Sequence, residues 1–106
     1  MTETKIYVGL NDSETRRQEF ETEKYASILK TVCRSYHVSF SFALVQGGYI
    51  HEDGEFTQEN SLVLSLIDAD PSVVEAISRD LCAFFNQESV LITESQVKAY
   101  FINEKL

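Results

Sequence analysis

Basic residues are scarce: nine Lys and Arg stand against seventeen Asp and Glu, a formal net charge of −8 over 106 residues. Protein affinity for a nucleic-acid duplex comes largely from neutralising phosphates, so a chain this acidic, without a basic cluster, is not expected to bind one. Proline occurs once and glycine four times, and no repeat, linker or low-complexity stretch is visible. No apolar run approaches the roughly 20 residues that span a bilayer, and MTETKIYVGL lacks the basic-then-apolar layout of a signal peptide. A cytoplasmic protein with no membrane partner is therefore expected. There are two cysteines, Cys33 and Cys82, in helix-like segments without metal-ligand spacing, and both read as reduced thiols. The two histidines, His37 and His51, have no companion ligand nearby in sequence, so neither a metal nor any other cofactor is expected. His37, at a helix-to-strand junction, reads as structural.

Catalytic signatures are missing as well. There is no G-x-S-x-G elbow, no phosphate loop and no G-x-G-x-x-G, and Gly47-Gly48 is not followed by a helix that could bind an anion. The acidic group Glu52, Asp53 and Glu55 falls in a turn that nothing desolvates, which offers no means of separating two carboxyl pKa values for acid and base work. The expectation is a binding protein rather than an enzyme, with no catalytic residue assigned.

What is present is a fold pattern. With 43% hydrophobic and 25% charged residues the chain belongs among ordinary globular domains, and its length suits a single one. The clearest signal is a hairpin around Asp53-Gly54, with VSFSFALVQGGYI before it and SLVLSLI after it alternating with period two. Gly47-Gly48 predicts a bulge or bend in its first arm, and Thr57 to Asn60 a polar patch before its second. Lys5 to Leu10 reads as a first strand, on which Gly9 leaves a gap, and Asn11 to Glu21 as a long polar loop. Tyr25, Ile28, Leu29, Val32 and Tyr36 recur at helical spacing behind Thr22 as N-cap. Asp70-Pro71 opens a second helix, carried by Val73, Val74, Ile77, Leu81, Phe84 and Phe85 and ended by Asn86. Ser89 to Thr93 reads as a fourth strand, and Val97 to Ile102 as its kinked continuation or a fifth.

This order predicts an α+β, ferredoxin-like βαββαβ domain: an antiparallel sheet in the order 4-1-3-2, two helices on one face, and a long hairpin between strands 2 and 3. The topology gathers three connections at one end, and with them a candidate partner- or ligand-binding set: Asn11, Asp12, Arg16, Arg17, Gln18, Tyr49, His51, Asn86, Gln87 and Glu88. Glu52, Asp53 and Glu55 form a separate acidic tip. The helix-free face carries Tyr7, Ser39, Ser41, Ala43, Val63 and Ser65, small and apolar enough to pack against a second copy, so a homodimer is expected.

YVGLND with Thr15 and Gln18, and FNQESV from Phe85 to Val90, make the chain similar to a group of small uncharacterised domains found in bacteria and their phages. That resemblance implies no catalytic residues, but it implies a mobile-element setting. The resulting expectation is a non-enzymatic phage or mobile-element protein that inhibits a bacterial defence system by stoichiometric binding of a host protein. A second expectation is a sponge for a small anionic or nucleotide signalling ligand, held by Arg16, Arg17, Gln18, Asn86 and Gln87 with Tyr7 or Tyr49 stacking on it. A third is a small dimeric ferredoxin-like enzyme, for which the sequence offers only fold analogy.

Overall fold

Alternation along Thr2–Gly9 (β1) sends Thr4, Ile6 and Val8 to a buried face and Lys5, Tyr7 and Gly9 to the other. The computed structural model describes residues 1–50 and 52–105, apart from the side chain of Tyr49. In it β1 is followed by Thr22–Ser35 (α1), Ser41–Ile50 (β2), Phe56–Ile67 (β3), Pro71–Phe84 (α2) and Leu91–Gln96 (β4). The strands lie in the order β2-β3-β1-β4, every pair antiparallel, which is the ferredoxin-like arrangement expected.

The core forms where the sheet meets the helices. Ile6, Val8, Leu62, Leu64 and Leu66 from the sheet pack with Tyr25, Leu29 and Val32 of α1 and with Val74, Ile77 and Leu81 of α2. Burial of each such side chain is worth about 1.5–3 kcal/mol, which makes this layer the main stabilising element. Tyr25 and Phe85 meet edge to face at 5.1 Å, joining the start of α1 to the end of α2. At the other end the Tyr36 hydroxyl donates to Asp80 at 2.8 Å, an ion-dipole contact that raises the phenol's pKa. Asp70 caps α2 by accepting from the Ser72 amide at 2.9 Å, and Pro71 occupies the first helical position, as the sequence predicts. Asn86 takes the left-handed conformation (φ 49°) just past α2, and His37 does the same past α1 (φ 54°).

Four local expectations change. Thr22 is the first helical residue and Glu21 the N-cap, because the Thr22 hydroxyl accepts from Gln18 Nε2 at 3.1 Å instead of capping. Gly47 and Gly48 make no bulge: the β2–β3 register runs unbroken from Ser41 opposite Ser65 to Ile50 opposite Phe56. A Cβ on Gly48 would lie 2.4 Å from the Phe56 ring, so this glycine makes room for a cross-strand aromatic without adding a residue. The stretch Thr57 to Asn60 belongs to β3, which starts at Phe56. Lastly, β4 covers Leu91–Gln96, and the ladder closes where the Val97 amide donates to the Met1 carbonyl at 2.8 Å. Residues 98–105 form no strand.

Among the described residues no helix is long and apolar enough to cross a membrane.

Candidate functional site

At the end of β1 the chain leaves the sheet while remaining tied to β3. The Leu10 amide donates to the Asn60 carbonyl at 2.9 Å, and the Asn11 amide donates to Glu59 Oε2 at 2.9 Å. Asp12 then organises the loop. Its Oδ1 accepts from the amides of Glu14 and Thr15 at 2.8 and 3.1 Å, and its Oδ2 accepts from Asn86 Nδ2 at 2.9 Å. These bonds favour the ionised form and hold the Asp12 carboxyl below its usual pKa, the Asn86 bond contributing most. The loop is closed by the Asp12 amide donating to the Arg17 carbonyl and by Arg16, left-handed at φ 59°, donating its amide to the Asp12 carbonyl. The α2–β4 turn is stitched on by the Ser13 amide to the Asn86 carbonyl at 2.9 Å and by Gln87 Nε2 to the Asn11 carbonyl at 2.5 Å.

These loops rim a cavity of about 480 Å³ on the helix-free side of the sheet. Its floor and walls are Tyr7, Gly9, Asn11, Asp12, Ser13, Arg16, Glu59, Ser61, Gln87, Glu88, Ser89 and Leu91. Glu59 is seated in an unusual way. A Cβ on Gly9 would lie 2.6–2.7 Å from both carboxylate oxygens and the carboxyl carbon of Glu59. The carboxylate therefore lies flat on the bare backbone of β1, a position only glycine leaves open.

Of the residues predicted for this end, Asn11, Asp12, Arg16, Gln87 and Glu88 line the cavity. Gln18 and Asn86 serve the frame: Gln18 accepts from Asn60 Nδ2 at 3.0 Å and donates to the Phe20 carbonyl at 2.9 Å, while Asn86 holds Asp12. Arg17 does not line it and pairs at 3.5 Å with Glu19, whose carboxylate also accepts from the Thr15 hydroxyl. His51 and the side chain of Tyr49 lie outside the described residues. Glu52, Asp53 and Glu55 are exposed at the hairpin tip and none of them lines the cavity. The distal half of the hairpin keeps the same register as the proximal half, without a bulge at Gly47 or Gly48.

Tyr7, Ser41, Ala43, Val63 and Ser65 do share the helix-free face, with Tyr7 opposite Val63 and Ala43 opposite Val63 across the ladder; Ser39 precedes β2. Lys5, opposite Ser65, places an amine in the middle of that face. Sequence reasoning missed Ser13, Glu59, Ser61, Ser89 and Leu91 as lining residues. The available signal was Gly9, whose gap faces the polar run Thr57 to Asn60 once β3 is extended. Cys33 is buried, and desolvation pushes its thiol up to about 11; Cys82 donates to the Gln87 carbonyl at 3.0 Å. Among the described residues no group of three His, Cys, Asp or Glu could hold a metal ion.

No family model matches the sequence, and no curated protein matches it. Solved structures do resemble it. A phage SAM lyase in complex with S-methyl-5′-thioadenosine aligns at a TM-score of 0.69 and 23% identity, over 90% of this chain and 80% of that one. The apo state of a phage SAM lyase aligns at 0.69 and 24% identity, over 89% and 78%. The periplasmic divalent cation tolerance protein CutA from Archaeoglobus fulgidus aligns at 0.59 and 10% identity, over 93% and 87%. At these identities the likeness establishes the shared fold.

Proposed function

We propose that the cavity binds S-adenosylmethionine (SAM) and that the chain is a phage-type SAM-degrading enzyme. One observation carries this: three acidic residues, Asp12, Glu59 and Glu88, line the cavity with a single basic one, Arg16. That lining is net negative, which suits a ligand with two cationic centres and one carboxylate better than a purely anionic nucleotide. In SAM the sulfonium and ammonium would meet carboxylates and the carboxylate would meet Arg16. Tyr7 and Leu91 supply apolar surface for a base, and Ser13, Ser61, Ser89 and Gln87 supply hydrogen-bonding groups for a ribose.

The chemistry asks little of the protein. A sulfonium is already a charged leaving group: the ligand's own carboxylate oxygen can bond to the γ carbon as the C–S bond breaks, closing a homoserine lactone. The C–S electron pair neutralises sulfur to the thioether, so neither a general acid nor a water is needed. Holding the ligand in a reactive conformation is the main task, which fits a sequence without a catalytic motif. This displaces the non-enzymatic expectation, and it keeps the anti-defence setting: removal of SAM deprives host systems that depend on it. The location proposed is the cytoplasm, where that ligand would be met.

Self-association is proposed through surfaces other than the sheet face. Ile50 and Phe56 on the distal hairpin, and Tyr100, Phe101 and Ile102 after β4, are among the most exposed apolar groups of the described residues. Sedimentation of Phe101→Ser against the parent chain checks this.

The test of function is direct. Incubation with SAM should release S-methyl-5′-thioadenosine, measured by liquid chromatography, and Glu59→Gln should lower the rate at least about tenfold, the loss expected for removing a charged contact. Absence of both thioadenosine release and heat of SAM binding in calorimetry would sink the proposal.

A further inference from the structure

Glu59 is not simply one of several acidic residues near a cavity; its carboxylate is fixed from two sides. The Asn11 amide donates to Oε2 at 2.9 Å, and the backbone of Gly9 supports the whole group, with Oε1, Oε2 and the carboxyl carbon at nearly equal distances from the place a Cβ would take. Register explains how the side chain gets there. Gly9 pairs with Ser61, so Glu59, two residues along β3 on the same face, reaches diagonally across to the end of β1. The Asn11 that holds it is itself fixed by Gln87 at its carbonyl and by the Gln58 carbonyl at its side chain. A carboxylate whose rotation is removed in this way presents its charge at one point of the cavity wall, where a ligand charge either falls or does not.

We infer that Gly9 is a positioning residue whose lack of a side chain seats Glu59 as the group that tells a sulfonium from a neutral thioether. The inference rests on the SAM reading of the cavity. It adds a specificity that the reading alone does not contain: the substrate is held by charge at Glu59, and the thioether product, having lost that charge, is released. The Arg16 and Ser61 contacts bind both forms alike and cannot make this distinction.

The experiment compares affinities for SAM and for S-adenosylhomocysteine, its uncharged thioether counterpart, by calorimetry on the full chain. The parent chain should favour SAM by at least about tenfold, the least a charge-assisted contact should give. Gly9→Ala should bring the ratio toward unity, and so should Glu59→Gln. The melting temperature should hardly move, because the displaced atoms are the far end of a flexible side chain. Adding Glu59→Asp to Gly9→Ala, which draws the carboxylate back from the new methyl group, should restore part of the preference. A second readout needs no ligand: the Asn11 amide, which donates to Glu59 in the parent chain, should exchange its hydrogen with solvent faster in Gly9→Ala. An unchanged affinity ratio in Gly9→Ala, or an Asn11 amide that exchanges at the same rate in both, overturns the inference while leaving the SAM reading intact. A parent chain that binds neither compound overturns the SAM reading, and the charge-discrimination role with it.

Discussion

The two halves of the β2–β3 hairpin share one unbroken ladder and differ in what lies over it. In the proximal half Leu62, Leu64 and Leu66 are at most 1% exposed, covered by both helices and flanked by β1. In the distal half Ile50 and Phe56 are 72% and 66% exposed, and β1 has already ended at Gly9. The hydrogen-bonding pattern is the same in both. A ladder by itself therefore sets register, whereas stability comes from the layer that covers it, and a two-stranded ribbon without such a layer is marginal in water. The cavity sits at the boundary, where β1 stops and β3 continues; Glu59 can lie over Gly9 only because the sheet narrows there.

The sharpest way to break this comparison is to truncate one side chain in each half. Leu64→Ala should cost about 2–5 kcal/mol in denaturant unfolding, through lost burial and the cavity left behind. Ile50→Ala in the distal half should stay within about 0.5 kcal/mol, as for surface positions generally. Equal losses would mean that the distal ribbon is covered in solution. Asp70→Ala comes next: removing the cap of α2, the helix that covers the proximal half, should cost about 1 kcal/mol, read from the same unfolding curves.

A pH test probes the covered layer from within. The Cys33 thiol is pushed up to about 11 by burial, so the folded state favours the protonated form relative to the unfolded chain. Its contribution is undiminished below the ordinary thiol pKa, about 8.5, and is lost as pH rises from there through about 11. Thermal melts across that range should show the decline, and Cys33→Ser should flatten it. In the native state a thiol reagent should modify Cys82, which is partly exposed, well before Cys33. An equally small effect on stability is expected at the boundary: Gly9→Ala should stay within about 0.5 kcal/mol in unfolding while weakening ligand binding, which would separate fold from site.

Much of the fold was legible because its signals are local. Period-two alternation in Ile6-Val8 and Leu62-Leu64-Leu66, helical spacing in Val74-Ile77-Leu81, and Asp70-Pro71 each report their own element, and element order alone then restricts the topology. The candidate site was half legible. Asn11, Asp12, Arg16, Gln87 and Glu88 could be grouped because connections at one end of a known topology must meet. Gln18 and Asn86 have the same residue chemistry as ligand contacts, yet they are spent on Asn60 and Asp12, and nothing in their own neighbourhood says so. The glycine pair misled for a similar reason: the clash that requires glycine at position 48 comes from Phe56, across the turn.

What the sequence alone determined is the set of elements, their order and the sheet they build, since backbone preferences and residue periodicity act over a few neighbouring positions. The position of Glu59 against Gly9 was decided only by the tertiary structure. Fifty residues separate them along the chain, and their contact depends on a register that places Ser61 opposite Gly9 and on a first strand that ends there. Pairwise register and strand length are collective results of packing the whole core, so a gap left by a glycine can be seen in the sequence, but not the carboxylate that fills it.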